Sequence, residues 1–151
     1  QSQVVDNATW QAEMNRVNTD YKKVWQEVRA RYPQISIEKT VIGGVSFTGF
    51  AIGSFTVADA WYSGLKGIML ISAGCSPHIN IPVLNRVCTN DPEVDMYGNN
   101  GGQNLQNAMA QANAANAVRS TCVTDNVCTG HNSSNSWADF FVAGVKKWFD
   151  N

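Results

Sequence analysis

Histidine is the side chain whose ordinary titration falls nearest neutral pH, and this chain has two, His78 and His131. A histidine pair can work as general base and general acid, taking a proton from a nucleophile and returning it to a leaving group. Each lies in a polar stretch within a few residues of a cysteine, His78 after Cys75 and His131 after Cys128. Asp125, Asn132 and Asp139 are the polar neighbours of His131 in sequence. The spacing itself does not bring the two histidines together. With 11 Lys and Arg in 151 residues, no clamp for a phosphate stands out. A serine or cysteine nucleophile motif of the G-x-S-x-G kind is absent.

The stretch "DPEVDMYGNNGG" sets Asp91, Glu93 and Asp95 at alternate positions, as oxygen ligands are set in a calcium loop. Met96 stands where such a loop needs its glycine, and Gly102 where it needs a bidentate glutamate. It therefore reads as a solvated acidic turn. No metal and no cofactor are expected.

Cys75, Cys88, Cys122 and Cys128 form an even set without CxxC spacing. The chain opens Gln1-Ser2-Gln3, like a processed product. Together these suggest a secreted, extracellular protein with two disulfides, Cys75 with Cys88 and Cys122 with Cys128, each closing a short polar loop. The formal net charge of −1 leaves no basic footprint, so nucleic acid is not an expected partner.

The elements that would carry these residues are read from periodicity. Trp10, Met14, Val17, Tyr21, Val24 and Val28 step by four and three, which predicts a long helix over about 7–32, begun by Asp6 and stopped by Tyr32-Pro33. Residues 35–51 alternate on either side of Gly43-Gly44, which predicts a small β-hairpin. Val57, Trp61, Leu65, Ile68 and Met69 share one face of a helix that would end at Gly74. Residues 75–102 read as loop. Residues 103–119 read as an alanine-rich helix, and Ser136-Trp137-Ala138-Asp139 caps a last helix with a bulky aromatic face. The expectation is one domain over 1–151, mainly α or α+β: about four helices and one hairpin, stapled by two disulfides. It has a charge-poor middle at 40–85 and a helical C-terminal part at about 103–150.

That middle holds only Asp59 and Lys66 as charges. Residues 40–58 carry none, and Gly49 and Gly53 are spaced as GxxxG, a motif for close helix contact in lipid. The leading expectation is a non-enzymatic, toxin- or effector-like protein acting by contact through this middle third on a membrane surface or a protein partner. Its contact residues would be Trp10, Phe47, Gly49, Phe50, Gly53, Phe55, Trp61 and Tyr62. The alternatives are a structural subunit that self-associates through the first helix, and a small secreted hydrolase using His78 and His131.

Overall fold

A computed structural model describes residues 7–55, 60–74, 81–92, 107, 120–125, 130–131 and 137–150. Helix α1 is Asn7–Arg31. Its last turn carries Arg29 and Arg31, favourable at the negative end of the helix dipole, and Tyr32 N–H closes it on Val28 O before Pro33. A 3₁₀ turn, Ile37–Lys39, leads into strand β1, Val41–Val45, which passes without a linker into helix α2, Ser46–Phe55. A second 3₁₀ turn, Ala60–Gly64, precedes β2, Gly67–Ile71. Strands β3, Val83–Cys88, and β4, Ser120–Asp125, follow, and helix α3, Trp137–Asp150, runs to the end of the described chain.

The four strands lie in sequence order, β1-β2-β3-β4, and every pairing is parallel. Side chains alternate between the faces of a sheet, and they sort two cores. Ile68 and Leu70 of β2 with Val83 and Val87 of β3 meet Met14 and Val17 of α1 and Phe50, Ala51 and Ile52 of α2. On the other face, Leu84 and Cys88 of β3, backed by Met69 and Ile71, meet Trp137 and Phe141 of α3. The sheet thus has helices on both faces, which is why β1 and β2 read as short runs without polar residues.

The expected helices-plus-hairpin fold is corrected at three places. Gly43-Gly44 is not a hairpin turn but lies inside β1, and the second arm of the supposed hairpin is α2. The reason is close approach. A Cβ on Gly44 would stand 2.7 Å from Gly49 N and 2.8 Å from Thr48 C, so α2 can lie on β1 only where the strand has no side chain. The expected helix ending at Gly74 is instead a 3₁₀ turn and a strand, because "GIMLI" is a short apolar run buried between helices. Such a run fits either period. Part of the expected loop at 75–102 is the central strand β3, entered just after Pro82, where a missing N–H is tolerated. The expected helix at 103–119 lies outside the described residues except for Asn107, which is helical.

The expectation of two disulfide staples is also corrected, since no pair of cysteines at disulfide distance occurs among the described residues. Cys88 itself is buried and disulfide-bonded. Cys75, Cys128 and the side chain of Cys122 lie outside the described residues.

Candidate functional site

In a parallel sheet all carboxyl ends point the same way, so segments leaving different strands converge at one edge. Ser46 leaves β1, Asp91 lies three residues past the end of β3, and His131 follows β4. These three meet. Ser46 Oγ is 2.7 Å from His131 Nε2. His131 Nδ1 is 3.0 and 2.9 Å from the two carboxylate oxygens of Asp91.

The backbone presents the serine. Ser46 has φ 52°, a left-handed conformation that a non-glycine residue adopts at a cost of about 1–3 kcal/mol and keeps only where the surroundings impose it. β1 must turn into α2 within one residue, and that sharp turn lifts the Ser46 hydroxyl to the strand end. Ser72 ends β2 with nearly the same φ, 51°, but is 3% exposed and sealed inside, whereas Ser46 meets an imidazole.

Burial then assigns roles. The Asp91 side chain is fully buried while the His131 side chain is 27% exposed. A buried carboxylate needs donors, and Asp91 receives Nδ1–H of His131. That bond fixes the tautomer, leaving the Nε2 lone pair to accept the Ser46 hydroxyl proton. Asp91 N–H donates to Cys88 O, anchoring the acidic turn to β3. Gly130 N–H donates to Asn90 Oδ1 at 3.3 Å, a second tie between the two loops that carry the aspartate and the histidine. The N–H groups of the first turn of α2, Phe47 among them, have no acceptor within their own helix and point where negative charge is favoured.

Of the residues expected to make contacts, Trp10 and Phe47 lie beside this site. Phe47 directly follows Ser46, and Trp10 packs edge-on against it at 4.9 Å while staying 40% exposed. Gly49, Phe50 and Gly53 are buried in α2, and Trp61 is half-buried against the same core. The side chains of Phe55 and Tyr62 lie outside the described residues, as does His78. Among the described residues no helix is long and apolar enough to cross a membrane, and no cluster of His, Cys, Asp and Glu could hold a metal ion.

From the sequence His131 was expected to act only in the alternative that paired it with His78, Asp91 was expected in a solvated acidic turn, and Ser46 was not singled out. The signal was present in altered form. Gly44-Val45-Ser46-Phe47-Thr48 has the first glycine and the serine of G-x-S-x-G, with threonine at the last place and Gly49 one residue later. Gly49 does the work that the displaced glycine would do: a Cβ there would lie 2.9 Å from Gly44 O and 2.6 Å from Ala73 Cβ. Comparisons with protein-family models, curated proteins and solved structures find no match for the chain.

Proposed function

We propose that this protein is a serine hydrolase that cleaves carboxylic esters or related acyl compounds through an acyl-enzyme. One observation carries the reading: the unbroken chain of contacts Ser46 Oγ, His131 imidazole, Asp91 carboxylate, set on a strained strand-to-helix turn. The chain order serine, aspartate, histidine at the carboxyl edge of a parallel sheet is the order that α/β-hydrolases use for this constellation. That likeness is one of arrangement.

In this reading Ser46 Oγ attacks the substrate carbonyl as its proton passes to His131 Nε2. The imidazolium so formed is stabilised by the Asp91 carboxylate. The oxyanion gathers at the amino end of α2, where Phe47 N–H can donate to it. His131 then protonates the leaving alcohol. Water repeats the sequence on the ester of Ser46, releasing the acid and restoring the serine. No cofactor or metal enters. A secreted setting, the kind of compartment in which the Cys88 disulfide is stable, belongs to the proposal.

The test is covalent. A small alkyl fluorophosphonate should phosphonylate native protein, with peptide mass spectrometry assigning the adduct to Ser46. Ser46→Ala should abolish it. His131→Ala should slow it by about a thousandfold or more, as removal of a triad member does elsewhere. Folded wild-type protein that stays unlabelled would remove the proposal.

A further inference from the structure

The α3 face of the sheet is not closed along its whole width. Between β1 and α3 runs a groove of about 880 Å³, walled by Gly43, Val45, Met69, Phe141, Val142 and Val145. That is within the range of small-molecule sites, roughly 300–1,000 Å³. Its walls are aliphatic or aromatic apart from Lys146, an exposed residue whose stem can line the groove with its ammonium in water. Val142 is 68% exposed and Val45 54% exposed, so two wall residues leave much of their surface to solvent. Val45 immediately precedes Ser46, and Ala138 in the first turn of α3 lines the groove as well, so the groove extends to the residue before the proposed nucleophile.

What fits there is decided by the edge of β1. A polypeptide strand would be drawn to free edge groups, but the middle of this edge is already occupied. Thr40 O accepts from Lys66 N–H toward β2, and carbonyls alternate in direction along a strand, so Gly43 O faces outward. There it accepts a hydrogen bond from Tyr21 Oη at 2.5 Å. Burial raises the Tyr21 pKa, which keeps that donor protonated. An added strand would have to displace it. An occupant with no hydrogen-bonding demand would not.

Resting on the hydrolase reading, we infer that this groove is the acyl-chain subsite of the Ser46 centre, and that its substrates are esters of unbranched aliphatic acids rather than acetyl or charged acyl groups. The carbonyl stands at Ser46 and the methylene chain descends along Val45 and Gly43, opposite Val142 and Val145. Each methylene removed from water contributes up to about 0.8 kcal/mol, close to a fourfold gain in affinity.

The experiment measures kcat/KM for p-nitrophenyl acetate, butyrate, octanoate and laurate with wild type and with Val142→Trp, alongside fluorophosphonate labelling of Ser46. Val142 is exposed, so the indole blocks the groove without entering the core. Gly43→Val is the second variant and fills the floor from the strand side. Wild type should favour octanoate over acetate by at least tenfold, and both variants should reduce that ratio toward unity while a small fluorophosphonate still labels Ser46. Labelling at Ser46 with a flat chain-length profile, or a preference that both variants leave intact, overturns the subsite and spares the hydrolase. Failure to label folded wild type overturns both. A dimer in sedimentation equilibrium that Val142→Trp dissociates would show the groove to be covered by polypeptide, and also overturns the inference.

Discussion

The two faces of strand β1 are built to opposite ends. On one face Gly44 lets α2 settle onto the strand backbone, with Gly49 facing Ala73, and no space is left. On the other, Gly43 looks across an open groove at α3, and the Cβ it lacks would find Met69 at 3.4 Å, ordinary contact. Neighbouring glycines thus serve different purposes within one strand. The closed face fixes where α2 begins, and so forces Ser46 into its left-handed turn. The open face supplies an apolar surface that reaches Val45, the residue before that serine. Rigidity on one side and room on the other are what the proposed hydrolase would need, since a misplacement of about 1 Å at the reacting atoms can cost a hundredfold in rate.

The sharpest way to break this comparison is Gly44→Ala. The added carbon would lie 2.7–2.8 Å from backbone atoms of Thr48 and Gly49, which cannot rotate away. Either α2 lifts or the turn at Ser46 deforms. Urea unfolding should show a loss of about 2–3 kcal/mol, in the upper range for overpacking. Fluorophosphonate labelling should fall by about a hundredfold in the fraction that stays folded. A fully stable, fully labelled variant would mean that close helix approach does not create the turn.

The same pair of glycines shows how far sequence carries here. The stripe from Trp10 to Val28 lies on one long helix, α1, because 3.6-residue periodicity survives in any helix that leaves one face in water. Trp137, Phe140, Phe141, Val145 and Trp148 form the inward face of α3 for the same reason. The central sheet was not legible. Its strands are short and helices lie over both faces of the sheet, so "VIGGV" and "GIMLI" carry apolar residues and glycine at successive positions with no polar alternation. Asn85 and Arg86 interrupt the third strand, although Asn85 is buried and donates from Nδ2 to Ala73 O at 2.8 Å. The site was hidden by the same error. With Gly43-Gly44 taken for a turn, Ser46 became an alternate residue of a hairpin arm, and nothing marked it as the end of a parallel strand. Asp91 and His131 are 40 residues apart in sequence and meet only because β3 and β4 run in the same direction.

A smaller effect is expected from Tyr21→Phe, which tests the edge between the two faces. It removes the hydrogen bond to Gly43 O while keeping the ring. Water can replace the donor at an open edge, so the cost should be about 1 kcal/mol. The pH dependence has a definite sign. The Tyr21 pKa is raised by burial from its ordinary value of 10.0, so its contribution is fully present below about pH 10 and is lost as pH rises through the elevated value. The stability gap between wild type and Tyr21→Phe should be constant from pH 6 to 9 and narrow above that. A gap that narrows already between pH 6 and 9 would show that another group governs this edge.

The smallest effect, and the most discriminating, belongs to Gly43→Ala. This position shares its strand and its neighbour with Gly44, so propensity, exposure of the chain and local sequence are nearly matched between the two variants. What differs is the face. At Gly43 the new methyl meets Met69 Cε and Met69 O at 3.4 Å, and the methionine end is flexible enough to yield. Replacing glycine also restricts the unfolded chain, which stabilises by about 0.4–1 kcal/mol where the backbone accepts alanine. The two terms nearly offset, so the midpoint of urea unfolding should move by no more than about 0.5 kcal/mol in either direction. Labelling of Ser46 should stay within about twofold of wild type. A loss at Gly43 as large as that at Gly44 would mean that the α3 side of β1 is as tightly filled as the α2 side. The contrast between a closed and an open face would then fall, and the groove with it.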